Sequence, residues 1–289
     1  MQQITIMGLG LMGGSLGLAL KKRGFEGRIN VYARRQATRD TALEMGLCDA
    51  VFDDPVEAVR EADLVIYCTP ILTIPALVEA SKAGLKAGAI LTDVGSTKAE
   101  LAEQIEPILA GSGATFVGSH PVAGSEQTGV EAARPDLYED ALVVVTPSDT
   151  DKEAAAVEQV VQFWTGLGAI VEVISATKHD QLMARTSHLP HLVASLLAVT
   201  AGRDDVDGVG PYCGTGFRDT SRVAGGSPEV WHDIVSTNTQ AIGVELAAYR
   251  DQLDQLIGWC EANDFDRIKE FLAHGRDCRR ALMERSPAE

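Results

Sequence analysis

The chain has 289 residues, 45% of them hydrophobic and 23% charged, with 25 Lys+Arg against 41 Asp+Glu for a formal net charge of −16. This is the composition of an ordinary globular protein of about two domains, and it excludes a disordered chain, a collagen-like repeat and a small disulfide scaffold. The acidic balance repels phosphate backbones and argues against a nucleic-acid partner, and no window holds the roughly 18 unbroken apolar residues of a membrane span.

Cys48, Cys68, Cys213, Cys260 and Cys278 are scattered and form no CxxC pair. That pattern fits a reducing cytoplasm better than a zinc ribbon or a disulfide framework. A strand predicted within the opening residues leaves no room for a targeting segment.

The first half alternates strand and helix. Ile4–Met7 reads as a strand, Ser15–Arg23 as a helix closed by Gly24, Arg28–Ala33 as a strand and Thr38–Met45 as a helix. Leu64–Cys68, Ala89–Asp93, Thr115–Val117 and Ala141–Val145 read as further strands. This βαβ rhythm predicts a parallel sheet with helices on both faces. It stops near residue 175. Beyond it, Lys178–Ala201 reads as a helix kinked or started at Pro190, Gly202–Gly226 as a glycine-rich loop, Glu229–Gly258 as one long helix and Phe265–Glu284 as a last one. The fold class is therefore an α/β Rossmann-like domain, residues 1–170, followed by an all-α domain, residues 171–289.

Gly8-Leu9-Gly10-Leu11-Met12-Gly13 is a G-x-G-x-x-G motif that follows a strand and opens a helix. That context turns a weak motif into a dinucleotide-binding turn, with the pyrophosphate facing the helix N-terminus. An NAD enzyme carries an acid at the end of the second strand. Here Ala33 stands there, followed by Arg34, Arg35 and Thr38. Two guanidiniums without an acid suit a 2′-phosphate, so the expected cofactor is NADP rather than NAD, against the alternative of two solvated surface arginines. The turns holding Thr69-Pro70 and Val94-Gly95 lie at strand ends and complete the expected cofactor edge.

His120, past a strand in the turn Gly118–Glu126, is a general-base candidate, since a histidine takes up a proton near neutral pH. His188 and His191 share one helix face, but no cysteine or carboxylate completes a metal set around them. Gly214–Arg222 gathers arginines, hydroxyls and glycines suited to an anion, or else forms a surface loop held by a pair between Asp219 and a neighbouring arginine.

Five segments, GLGLMGGSL at Gly8–Leu16, DVGSTK at Asp93–Lys98, GSHPVAGSEQTG at Gly118–Gly129, HLPH at His188–His191 and GFRDTSR at Gly216–Arg222, occur in this order. Together they resemble the prephenate/arogenate dehydrogenases of tyrosine biosynthesis over nearly the whole chain. The resemblance implies a homodimer with a helical dimerisation domain. It also implies a cyclohexadienol substrate that passes hydride to the cofactor, loses its ring carboxylate as carbon dioxide and becomes aromatic. His120 would accept the proton of the 4-hydroxyl, and Ser96 would orient His120 and that hydroxyl. His191, or else His188, would line the substrate site, and Arg222 would bind the ring carboxylate. Ser125 is placed with the substrate, and Glu126, Gln127 and Asp219 are candidates to tell a keto from an amino side chain. Prephenate is favoured over arogenate, although Arg34-Arg35 and GFRDTSR also look like NADP-using arogenate members. A β-hydroxyacid-type reductase would need Lys178 as its acid/base group and leaves His120 and HLPH unexplained. An NADP sensor leaves the catalytic set unexplained.

Overall fold

A computed structural model of the chain describes residues 1–123, 129–148, 154–203 and 206–284. The chain forms two compact units, residues 1–239 and 240–289. The first opens with β1 (Gln3–Met7), α1 (Leu11–Lys22), β2 (Arg28–Tyr32), α2 (Gln36–Glu44), β3 (Ala50–Phe52) and α3 (Pro55–Val59). It continues with β4 (Leu64–Tyr67), α4 (Ile74–Ser81), β5 (Ile90–Asp93), α5 (Ala99–Leu109) and β6 (Thr115–Phe116). These strands form a parallel sheet in the order β3-β2-β1-β4-β5-β6.

The strands are short apolar runs because both faces of the sheet are covered. Ile4, Ile6, Ile29, Val31, Leu64 and Ile66 pack with Leu16 and Leu20 of α1. The alternate residues Met7, Val65, Tyr67 and Leu91 pack with Val59, Ile74, Val78 and Ile105 on the opposite face. Alternation along each strand thus feeds two cores.

The expected strand Thr115–Val117 is split. β6 closes the large sheet, and β7 (Gly118–Pro121) starts a second one with β8 (Leu142–Thr146), α6 (Ala154–Gly166) and β9 (Ile170–Val173) following. In that sheet β7 runs antiparallel to β8, while β9 is parallel to it. The expectation of one all-parallel sheet is corrected accordingly, and His120 lies within β7 rather than in a turn beyond a strand.

Helices follow: α7 (Ala176–Met183), a π-helical turn (Ala184–His188), α8 (Leu189–Ala201), α9 (Val206–Val209), α10 (Thr215–Ser221), a 3-10 turn (Arg222–Gly225) and α11 (Pro228–Thr237). Pro190 sits in the first turn of α8, directly after the π-helical turn, where the regular ladder of the helix is already interrupted. Two expectations fail here. The glycine-rich stretch Gly202–Gly226 carries helices α9 and α10 instead of a plain loop. The long helix expected at Glu229–Gly258 is broken at Asn238, whose φ of −138° and ψ of 29° leave the helical region. The second unit holds α12 (Thr239–Glu261) from its second residue onward and α13 (Phe265–Met283), with Trp259 against Phe271 at 5.8 Å between ring centroids. No helix among the described residues is long and apolar enough to cross a membrane.

The turn after β1 is sterically specified. Gly8 has φ +108°, and a Cβ at Gly13 would stand 2.2 Å from the Gly8 carbonyl oxygen. Backbone cannot yield as a flexible side chain does. Gly13→Ala is therefore expected to destabilise the protein by about 1–3 kcal/mol and to weaken dinucleotide binding. A thermal melt and a cofactor titration measure both, and an unchanged melting temperature would refute the packing argument.

Candidate active site

Parallel register brings the ends of four strands level. Met7 pairs with Tyr32 and Tyr67, and Tyr67 pairs with Asp93. The residues that follow these positions are Gly8, Ala33, Cys68 and Val94. The expected cofactor residues Gly8–Gly13, Ala33, Arg34, Arg35, Thr38, Thr69, Pro70, Val94 and Gly95 thus lie at or just beyond one edge, the carboxyl edge where open α/β sheets bind ligands. β1 and β4 are the neighbours at which the strand order reverses. No side chain caps α1, its first turn holds no acid, and a Cβ at Gly10 would meet open space. Uncapped N–H groups beside an open glycine are a fitting cradle for a pyrophosphate.

Around β2, Arg34 and Arg35 are exposed, whereas Arg39 is buried. Its guanidinium donates to the carbonyls of Ala33 at 2.6 Å and Arg34 at 3.0 Å, and to Gln36 Oε1 at 2.6 Å. It also pairs with Asp53 at 3.3 Å. An acid therefore does stand by this turn, supplied from beyond β3.

His120 is built from β5 inward. Lys98 and Asp93 form a buried ion pair, 1% and 0% exposed. Burial pushes the Lys98 ammonium down from its ordinary pKa, opposed by Asp93. Both residues grip Ser119. Lys98 Nζ donates to its carbonyl at 2.9 Å, its N–H donates to Asp93 Oδ1 at 3.1 Å, and its hydroxyl donates to the Asp93 carbonyl at 2.6 Å. His120 follows, with Nδ1 at 2.9 Å from His179 Nε2. His179 Nδ1 lies 2.7 Å from Asp180 Oδ1. Asp180 in turn accepts the N–H of Lys98 at 2.8 Å and of Ala99 at 2.9 Å, capping α5 from α7. His120 is held well below its usual pKa of 6.5, first by burial and then by the fields of His179, Lys98 and His188.

The two histidines of HLPH have different surroundings. His188 is buried, with Nδ1 3.2 Å from Asn238 Nδ2, which also donates to the Asp180 carbonyl at 2.8 Å. Burial pushes His188 down to about 4, opposed by Asp180. His191 stacks on Trp231 with centroids 3.5 Å apart and a 13° interplanar angle, and burial lowers its pKa as well. His191, Trp231 and Gly226 line a cavity of about 450 Å³. His188 meets the same Trp231 edge-on at 6.0 Å. A chain of contacts thus leads from His120 through His179, Asp180, Asn238, His188 and Trp231 to His191.

Ser96 is half-buried in the turn after β5. Its neighbour Thr97 bonds Thr237 at 2.7 Å, next to Asn238. Arg222 opens the 3-10 turn that packs on α8, and Ala224 of that turn lines the cavity with His191. Asp219 is exposed on α10. Ser125, Glu126 and Gln127 lie outside the described residues. His179, Asp180, Asn238, Trp231 and the Asp93–Lys98 pair were not assigned a role from sequence. The one sequence signal was that Asp93 and Lys98 delimit the DVGSTK segment.

Comparison with known proteins accords with this geometry. The family model "Prephenate dehydrogenase, nucleotide-binding domain" matches residues 16–173, and "Prephenate dehydrogenase, dimerization domain" matches residues 175–274. A cyclohexadienyl dehydrogenase of Zymomonas mobilis is 33% identical over 97% of this chain and 96% of its own. A prephenate dehydrogenase of Bacillus subtilis is 34% identical over 96% of this chain and 76% of its own. The crystal structure of prephenate dehydrogenase from Aquifex aeolicus with hydroxyphenyl propionate and NAD+ superposes with a TM-score of 0.90 at 30% identity, covering 98% of each chain. A Synechocystis arogenate dehydrogenase superposes at 0.82 and 32% identity, covering 97% of this chain and 99% of its own. The NAD+ in the Aquifex enzyme overturns the NADP preference expected from Arg34 and Arg35. In the present structure both arginines are exposed, as solvated surface side chains would be. With both halves matched by its models, the chain belongs to the prephenate/arogenate dehydrogenase family and is an NAD(P)-dependent oxidoreductase.

Proposed function

We propose that this protein oxidatively decarboxylates a 4-hydroxycyclohexadienyl carboxylate, prephenate in preference to arogenate, with NAD+ as hydride acceptor. The observation that carries the reading is a buried histidine, His120, kept neutral beside the cofactor edge and fixed through one ring nitrogen. A neutral imidazole can take the 4-hydroxyl proton as the carbonyl develops. The O–H bond breaks, a ring N–H forms, and the carbon-bound hydrogen leaves with its electron pair. The bond to the ring carboxylate then supplies its electrons to the ring, and carbon dioxide departs. Bound NAD+ supplies the hydride-accepting ring. The Gly8–Gly13 turn and the α1 N-terminus would hold its pyrophosphate, with Ala33–Thr38, Thr69-Pro70 and Val94-Gly95 around the rest. Asp53 supports the choice of NAD, as the acid beside the β2 turn.

In this reading Ser96 orients His120, while His191 and Arg222 serve the substrate, Arg222 as the partner of the ring carboxylate. His188, held inside by Asn238, is a support. Ser125, Glu126, Gln127 and Asp219 remain proposed substrate residues. Residues 1–170 would form the cofactor half and residues 171–289 the substrate and dimer half. Exposed apolar side chains on α12 and α13, among them Val244, Leu253, Ile257, Leu272 and Leu282, support a homodimer.

Initial rates at the nicotinamide absorbance, with prephenate and arogenate each against NAD+ and NADP+, test the reading. Turnover is expected, with the best kcat/KM for prephenate and NAD+. A lower KM for NADP+, or no turnover in any pairing by a folded protein, would count against it. His120→Asn should lower kcat on the order of 10²- to 10⁴-fold with little effect on NAD+ affinity. Near-normal kcat would remove His120 from the role. The sign of the pH dependence follows from burial. Protonated His120 cannot accept the hydroxyl proton, and its pKa is depressed, so the acid limb of kcat/KM should fall well below pH 6.5. A limb at or above that value would contradict the site.

A further inference from the structure

We propose that Asp180, acting through His179, sets the ring tautomer of His120 and leaves its Nε2 as the bare, proton-accepting nitrogen. This rests on the reading of His120 as the general base and adds two positioning residues to it.

The obligate donors fix each proton in turn. The N–H groups of Lys98 and Ala99 can only donate, and they end on Asp180 Oδ1 and Oδ2 at 2.8 and 2.9 Å. Both carboxylate oxygens are thereby committed as acceptors. They sit at the N-terminus of α5, whose positive dipole end favours an anion there. His179 Nδ1, 2.7 Å from Oδ1, must then be the donor. With a single proton on its ring, His179 presents Nε2 as an acceptor. His120 Nδ1, 2.9 Å away, must donate to it. One proton remains to a neutral His120, and it is now placed on Nδ1, so Nε2 is unprotonated.

Burial makes this order strict. His179 is 0% exposed and Asp180 5%, so no bulk water can substitute as donor or acceptor along the line. The rings of His120 and His179 meet edge-on at 75°, which lets the two nitrogens point at each other without stacking. During turnover the hydroxyl O–H bond breaks and the proton is bonded to His120 Nε2. No proton has to pass to His179. The resulting imidazolium keeps its Nδ1–H on His179, backed by the Asp180 carboxylate, in the manner by which a buried carboxylate fixes and supports a catalytic imidazole.

The test reads the tautomer directly. Long-range ¹H–¹⁵N correlation spectra of the ¹⁵N-histidine-labelled full chain at alkaline pH report which ring nitrogen bears the proton, and His120→Asn assigns the resonances. Nδ1–H is expected in the wild type. Asp180→Asn can turn its amide N–H toward His179 Nδ1, which reverses the line and moves the His120 proton to Nε2. That variant should lose on the order of 10²- to 10⁴-fold in kcat, with KM changed by no more than a few-fold. Asp180→Glu should retain the Nδ1–H form. An Nε2–H wild type, or an Asp180→Asn protein that keeps the Nδ1–H form, overturns the proposal. If Asp180→Asn does not fold, His179→Leu is expected to leave His120 as a mixture of tautomers, and an unmixed Nδ1–H form overturns it. The two readings fail separately. Full activity in His120→Asn would remove the base whatever its tautomer, whereas a wrong tautomer would leave His120 in place and remove the positioning roles of His179 and Asp180.

Discussion

The buried pair between Lys98 and Asp93 is the interaction on which the site depends. An ammonium taken out of water costs several kcal/mol unless a charge and hydrogen bonds replace the solvent. Here Asp93 supplies the charge and the Ser119 carbonyl a further acceptor. The same Asp93 then receives the Ser119 and Gly95 N–H groups. Removing either charge would strand the other, a loss of about 3–5 kcal/mol by analogy with buried pairs elsewhere. The consequence is positional. β7 has left the large parallel sheet and belongs to another, so no ladder of that sheet fixes it. Asp93 and Lys98 reattach it to the end of β5 one residue before His120.

Asp180 fixes His120, the proposed base, from the other side. α5 begins without a side chain of its own at its N-cap. The orphan N–H groups there need an acceptor, and α7 provides it. Asn238 adds a second tie, from α11 back to the Asp180 carbonyl. The break in the helix at Asn238 is thus compensated by hydrogen bonds from that same residue. Three helices and two sheets converge on one imidazole without any of them being long or rigid alone.

What was legible in the sequence was local. Apolar runs of four or five residues, each closed by glycine or a polar turn, marked β1, β2, β4 and β5, and Gly8, Gly10 and Gly13 marked the tight turn into α1. His120, Ser96, His191 and Arg222 stood in motifs. What stayed hidden was pairing at a distance. Asp180 meets Lys98 across 82 positions and His179 meets His120 across 59, and neither contact has a periodic signature. Asn238 was concealed because Ile234 and Ile242, eight positions apart, keep one helical phase across the break. The glycines between Gly202 and Gly226 lowered helix propensity on paper, yet Gly214 in extended geometry simply starts α10. Arg34 and Arg35 carry no pattern that tells a phosphate-binding pair from two exposed side chains, which is what the fold makes them.

Burial at His120 creates an opposition that the network must resolve. Desolvation keeps the ring neutral and ready to accept a proton, but it opposes the imidazolium that acceptance produces. A base so depressed would be a weak one if its surroundings treated both forms alike. They do not. In the neutral form the Asp180 carboxylate serves to align His179 and carries little direct interaction with an uncharged ring. Once His120 is protonated, the carboxylate faces a cation through one intervening ring in a water-poor interior, where such attraction is least screened. With His120 as the proposed base, the arrangement would therefore favour the product of proton transfer more than its starting state, which is the condition for an interaction to lower a barrier rather than tighten binding. Burial and the Lys98 ammonium work in the opposite sense and hold the resting ring neutral. In the proposed reaction the same enclosure thus sets the resting state by desolvation and the Lys98 ammonium, and supports the reacting state by one carboxylate placed two hydrogen bonds away.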